Sequence, residues 1–195
     1  MGSVNPPRKG AHYEERQARL IGAVALAAVG VPAAALSASA DAPPPPPPIG
    51  VELLTPRAEF TDDVSIRVRF KLEGRRNRAT TINMHDPSRT VVARISVQPG
   101  AHFPWHTHPG PVIVNVSAGE LVYVQAKDCV ERPYAAGTAF VDPGRGNVHT
   151  AFNPSDKVTV LLATFFEVPA EGPLTITEGI APPDNCEVEV GTHSH

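Results

Sequence analysis

His106 and His108 are separated by one residue. On a β-strand that spacing sends both imidazoles out of the same face, about 6.6 Å apart at two rises of 3.3 Å, so the pair can converge on one ion. A stable site needs a third ligand from a neighbouring strand, with nitrogens about 2.1 Å from the metal. His149 follows a glycine-rich turn 41 residues after His108 and is the natural candidate. The chemistry expected is one divalent metal ion acting as Lewis acid or redox centre. Imidazole ligation alone does not choose among iron, zinc, manganese, nickel and copper. The alternative is that a His-x-His pair on a strand is two incidental polar side chains. His102 is a weaker candidate for an inward-facing ligand. His12, His85, His193 and His195 read as surface or tail residues, the last two able to scavenge metal weakly in solution.

Other catalytic signatures are missing from the sequence. There is no G-x-S-x-G elbow, phosphate loop, paired-cysteine zinc pattern or metalloprotease helix motif, which disfavours a nucleophilic hydrolase. No residue stands out as a general base; a neighbouring Tyr or Glu would have to supply one. The aromatics Phe103, Trp105, Phe140, Phe152, Phe165 and Phe166 read mainly as core, with one or two at a barrel mouth where they would hold an apolar ligand.

Histidines so spaced need strands to hold them, and strands are what the pattern offers. Val64–Leu72 alternates apolar and polar residues without a fault, as a half-buried strand does, and its arginines read as a solvated face. Further candidates are Thr90–Val97, Val112–Val116, Leu121–Gln125, Thr138–Val141, Asn147–Phe152, Lys157–Val168 and Pro173–Thr177. Turn signals such as Pro99-Gly100, Ser117-Ala118-Gly119, Ala136-Gly137, Asp142-Pro143-Gly144-Arg145-Gly146 and Asn153-Pro154-Ser155 fall between them. Many short strands at regular spacing, with no convincing helical periodicity beyond the leader, predict an all-β sandwich or barrel.

Two motifs carry a resemblance. Gly100, five residues, His106-Thr107-His108 and then Gly119 resembles the first motif of the cupin superfamily. Gly137, five residues, Pro143, Gly146, two residues, His149, three residues and Asn153 is similar to the second, with one extra residue between proline and glycine. The resemblance implies a single cupin-type jelly-roll β-barrel over residues 50–195, ending in a C-terminal tail, with a divalent metal on His106, His108 and His149. Such barrels usually add a glutamate four residues after the second histidine, and that position is Val112. Glu120 follows the Gly119 turn and is a poor substitute. Three neutral imidazoles leave the ion its full +2 charge and an open face, which suits an anionic small-molecule ligand and resembles the three-histidine subset that includes ferrous dioxygenases. More closely, His106–Val112 with the later Cys129 resembles small exported bacterial cupin-domain proteins. Two copies would pair through sheet edges, making a homodimer.

The chain begins with a polar, partly basic stretch, Met1–Arg19, followed by the uncharged apolar run Leu20–Leu36 and by Ala38-Ser39-Ala40, which together make a signal-peptide pattern. At about 1.5 Å per residue the run spans roughly 26 Å as a helix, short for a membrane span, so residues 1–40 read as a signal peptide, with an N-terminal anchor through residues 20–36 as the alternative. Residues 41–49, with Pro43–Pro48, read as a semi-rigid polyproline spacer. The folded part is then exported, to an extracellular or periplasmic space. There an oxidising environment permits a Cys129–Cys186 disulfide. The net charge of −3 falls to −5 without residues 1–40, which carry four basic and two acidic side chains, so nucleic acid is not an expected partner. The function expected is the binding of one divalent metal through three histidines in a barrel cavity, with oxygenation of a small molecule as the reaction if the protein is an enzyme; a non-catalytic ligand- or metal-binding module and a metal-free structural barrel are the alternatives.

Overall fold

The computed structural model describes residues 48–72 and 79–184, with Cys186 and Val188. The leader, the spacer before Pro48, and His12, His193 and His195 lie outside the described residues. Within them the chain forms strands β1 (Ile49–Leu53), β2 (Ala58–Glu59), β3 (Ile66–Phe70), β4 (Thr80–Met84), β5 (Arg89–Val97), β6 (Val112–Ala118), β7 (Glu120–Gln125), β8 (Glu131–Ala135), β9 (Ala139–Asp142), β10 (His149–Phe152) and β11 (Thr159–Phe165), and no helix. The fold is the all-β jelly-roll barrel expected.

A six-stranded sheet runs in the order β1-β5-β11-β6-β9, with β2 added beside β5, and a three-stranded sheet runs β10-β7-β8; all pairings are antiparallel. The period-2 alternation of the sequence sets which face is inside. On β5 the residues Val91, Ala93, Ile95 and Val97 are buried while Arg94 is exposed, and β6 and β11 contribute Val112, Val114, Val116, Leu161, Ala163 and Phe165 to the same cluster. Leu121 and Tyr123 of β7 and Phe140 of β9 complete it. The strand read at Val64–Leu72 is β3, with Ile66, Val68 and Phe70 partly buried and its two arginines exposed; it pairs only with β4.

Four strands escaped the periodicity reading, among them the two-residue β2. β1 begins at Ile49, directly after the proline run, and β4 is a short, threonine-rich segment. β8 contains Pro133, which has no N–H for a ladder; it is tolerated because β8 is the outer strand of its sheet. In the other direction, Pro173–Thr177 is not a strand: it makes one isolated bridge, Ile176 to Thr107. Pro173 lacks a donor, and the carbonyl of Leu174 is taken by a side chain, His108. The disulfide between Cys129 and Cys186 is present, with a Cα–Cα distance of 5.4 Å, and ties the C-terminal segment to the turn after β7.

The loops at one end of the barrel are held by close backbone packing. Gly144 has φ +57°, and a Cβ there would lie 1.9 Å from the carbonyl oxygen of Gly110; a Cβ on Gly110 would lie 2.2 Å from that of Phe166. The two loops that carry His108 and lead to His149 therefore touch through glycines. The Arg145 N–H donates to the His108 carbonyl at 2.9 Å, and its guanidinium pairs with Glu167, locking the same loops. Gly144→Ala combines left-handed backbone strain with a backbone clash, and we expect it to lower stability by at least about 2 kcal/mol in urea unfolding.

Candidate metal centre

The segment before β6 brings the histidines together. Residues 100–106 run beside β10: the Phe103 N–H donates to the Ala151 carbonyl at 2.8 Å, and His106 and His149 exchange two N–H···O bonds of 2.9 Å. Pro104 cannot donate, and the pairing slips by one residue between the His102–Phe152 and His106–His149 bridges. Because His106 and His149 stand directly opposite, their side chains leave the same face. Thr107 exchanges backbone bonds with Ile176 (3.0 and 2.9 Å) on the other side, which fixes the peptide between the two motif histidines.

His106, His108 and His149 are all buried, and their candidate ligand nitrogens lie within 4.8 Å of one another. Ring centroids are 4.9 Å apart for His106–His108, 4.2 Å for His106–His149 and 5.1 Å for His108–His149. Each Nδ1 meets a backbone carbonyl: Pro104 at 2.7 Å for His106, Leu174 at 2.8 Å for His108 and Asn147 at 3.1 Å for His149. A carbonyl can only accept, so each Nδ1 carries the proton and each Nε2 keeps a free lone pair. Anchoring of this kind orients a ligating imidazole and raises its basicity as a donor. Burial lowers all three pKa values, to about 3 for His106, where the charges of His149 and His108 lower it further, and to about 3 for His149, where His108 does the same. All three are neutral at physiological pH, as metal ligands must be. The donor set is one that could hold a metal ion.

The carboxylate missing at position 112 has a neighbour across the strand pair. Val112 of β6 stands in register with Asp142 of β9, and both are 1% exposed. Asp142 Oδ1 accepts bonds from the Tyr123 hydroxyl and from Asn147 Nδ2, each 2.9 Å, while Gln125 Nε2 donates to the Tyr123 hydroxyl at 3.0 Å. Asp142 Oδ1 also lies 3.5 Å from His149 Nδ1, and Oδ2 lies 3.8 Å from His108 Nε2. Burial raises the Asp142 pKa and raises that of Tyr123. Sequence reading placed Asp142 in a turn and found no acid–base group, since only the β6–β9 register reveals it. The signal that could have found it is an acidic residue immediately before the motif proline.

His102 stays apart. His102 Nε2 lies 3.3 Å from Thr150 Oγ1 and its ring stacks on Phe152, so it belongs to the outside of this group. Glu120 begins β7, five positions before Gln125, the partner of His149; about 16 Å of strand separates those ends. Asn153 is a turn residue, its amide donating to the carbonyls of Val97 and Lys157. A cavity of about 120 Å³ reaches the three histidines, Tyr123 and Asp142, walled elsewhere by apolar side chains such as Phe103, Val114, Leu121, Phe140, Leu161 and Phe165.

The cupin domain family matches residues 93–165, the stretch that holds all three histidines and both motifs. These residues form a cupin domain. Solved cupin structures resemble the chain. They include the polyketide cyclase RemF from Streptomyces resistomycificus (19% identity over 48% of this chain and 63% of that one, TM-score 0.40). A cupin-like protein from Thermotoga maritima shares 28% identity over 46% of this chain and 68% of its own, with TM-score 0.37. The Cupin_2 domain of an XRE family transcriptional regulator from Enterobacter cloacae shares 18% over 63% of this chain and 99% of its own, with TM-score 0.41. The chain thus spans less than two thirds of the cyclase. No curated protein matches it significantly.

The buried imidazoles of the cupin domain give stability a pH dependence. Unfolded, they bind protons near pH 6.5; folded, His106 and His149 do so only near pH 3. Between those values the unfolded state holds more protons, so stability is greatest above about pH 6.5 and is lost as pH falls. Asp142, with its raised pKa, opposes this between its ordinary pKa and the raised one. Thermal melts of metal-free protein should show a falling Tm from pH 7 to pH 4.5. In urea unfolding over the same range, His149→Gln should reduce the slope of the unfolding free energy by up to about 1.4 kcal/mol per pH unit.

Proposed function

We propose that the chain is an exported cupin that holds one divalent metal ion on His106, His108 and His149 and uses it in the oxygenation of a small molecule admitted to the barrel cavity. The observation that carries the reading is the convergence of three neutral imidazoles whose Nδ1 protons are all committed to backbone carbonyls, leaving three Nε2 lone pairs for one ion. A bound metal would supply Lewis-acid charge or a redox centre. The chain's own residues do the rest. Phe103, Leu161 and Phe165 favour an apolar ligand body and exclude water, the cationic centre favours an anionic or ionisable group, and Tyr123 is a group that can hold a proton beside it.

A binding module without turnover is the second reading. It is favoured by the small number of polar groups in the cavity and by the mutual hydrogen bond of Asp142 and Tyr123, which occupies one oxygen of each. The disulfide supports an oxidising compartment, and among the described residues no helix is long and apolar enough to cross a membrane. Export through residues 1–40, by cleavage or as an anchor, belongs to the same reading. So does a homodimer, for which the outer strand β1 offers Val51 and Leu53, both largely exposed.

Elemental analysis of the untagged protein should find close to one equivalent of a single metal. The triple variant His106→Ala/His108→Ala/His149→Ala should hold none. Iron would direct the assay to oxygen uptake with small thiols and phenols. Ligand-dependent thermal shifts with uptake at background would favour the binding module, and absence of metal even after reconstitution under reducing conditions would defeat both metal readings.

A further inference from the structure

Among the described residues three buried side chains, Thr107, Gln125 and Asp142, have a polar atom that no hydrogen bond meets, and Asp142 is the ionisable one. Its Oδ1 accepts from Tyr123 and Asn147, and the Gly144 N–H also acts on the carboxylate, yet Oδ2, equally buried, meets no donor at hydrogen-bond geometry. An unpaired carboxylate oxygen inside an apolar barrel is costly unless a cation or donor meets it. The group it faces is the ligand nitrogen of His108, at 3.8 Å. That nitrogen has no proton to give, because His108 Nδ1 donates to the Leu174 carbonyl. Two lone-pair atoms therefore face each other across a gap, which is the arrangement that a shared cation relieves. Donors each about 2.1 Å from one ion can stand at most about 4.2 Å apart, and the separation of Oδ2 from His108 Nε2 lies inside that limit; the atoms that already converge are those of the three histidines, which Asp142 would join by a turn of its side chain.

The position is also the right one topologically. Val112 and Asp142 are register partners on β6 and β9, so their side chains leave the same face of the sheet and both line the cavity. A carboxylate at either place reaches the same space from adjacent strands. Backbone contacts hold Asp142 there: Gly144, two residues on, is packed against Gly110, two residues after His108.

We propose that Asp142 is the carboxylate of this centre, with Oδ2 as the fourth protein ligand beside His106, His108 and His149, supplied across the strand pair from the valine at position 112. The inference rests on the three-histidine metal reading. It lowers the net charge of a bound divalent ion to +1, and so weakens the preference for an anionic ligand that three histidines alone would give.

Co2+ titration of the untagged full chain, followed by affinity and by the visible spectrum of the bound ion, tests it. Asp142→Asn keeps an oxygen acceptor for Tyr123 and Asn147 but removes the charge. It should fold with an unchanged far-UV circular dichroism spectrum, bind Co2+ roughly 10- to 100-fold more weakly, and shift the cobalt bands. Adding Val112→Glu to that variant should recover much of the affinity. Wild-type protein that takes up no Co2+ would sink the three-histidine reading and this inference with it. Wild-type binding that Asp142→Asn leaves unchanged in affinity and spectrum would sink only the assignment of Asp142. Weakened binding that a folded Asp142→Asn/Val112→Glu protein fails to recover would also overturn the ligand role, leaving Asp142 as an anchor for Tyr123 and Asn147.

Discussion

Three imidazoles can share the dry end of this barrel only because each finds a backbone carbonyl for its Nδ1 proton. A buried imidazole with an unmet N–H loses the free energy of a hydrogen bond to water, and a protonated one beside two others adds charge repulsion. The carbonyls of Pro104, Asn147 and Leu174 remove the first cost and select the tautomer with the proton on Nδ1, while burial selects the neutral form that removes the second. Much of the local architecture follows from providing them. The Pro104 break in pairing lets its carbonyl turn toward His106, the Gly144–Asn147 turn presents the Asn147 carbonyl to His149, and the C-terminal segment is bridged at Ile176 so that Leu174 can reach His108.

That last contact gives the C-terminal segment a role beyond covering the barrel. Residues 173–177 form no strand, yet they cap His108 and pin Thr107. Farther on, Cys186 is tied to Cys129 and packs in the second apolar cluster with Trp105, Val122, Val124 and Phe152. Closing a loop of this length restricts the unfolded chain by about 4 kcal/mol in the chain-entropy account. The disulfide thus stabilises a segment that contributes directly to the geometry of the histidines.

The two sheets do different work around the centre. β7 and β10 of the smaller sheet supply Tyr123, Gln125 and His149, while β6 and β9 of the larger one supply Val112 and Asp142. Hydrogen bonds from Tyr123 and Asn147 to Asp142 join the two sides. The polar network is therefore a bridge between sheets whose remaining inward residues are apolar, and it sets the spacing at the end where the cavity meets the histidines. The glycine contact between the two histidine-bearing loops holds the same spacing from outside.

Local pattern was enough for much of this protein. Strict alternation marked β3, since a half-buried strand writes its own orientation into successive residues, and turn signals set off the runs that became β5, β6, β7, β9, β10 and β11. The two histidine motifs marked both the barrel and the trio at 106, 108 and 149, because short loops and a His-x-His pair leave few ways to converge. β4 and β8 were harder to read because a short or proline-bearing strand is stabilised by its partners more than by its composition. Position 112 showed that a carboxylate was absent, but nothing local could show that Asp142 stands opposite it. Register between β6 and β9, the carbonyl that Leu174 offers to His108, and the orphaned Oδ2 are all contacts between residues far apart in the chain. Such contacts are set by how the sheets close on one another, and only the tertiary structure could decide them.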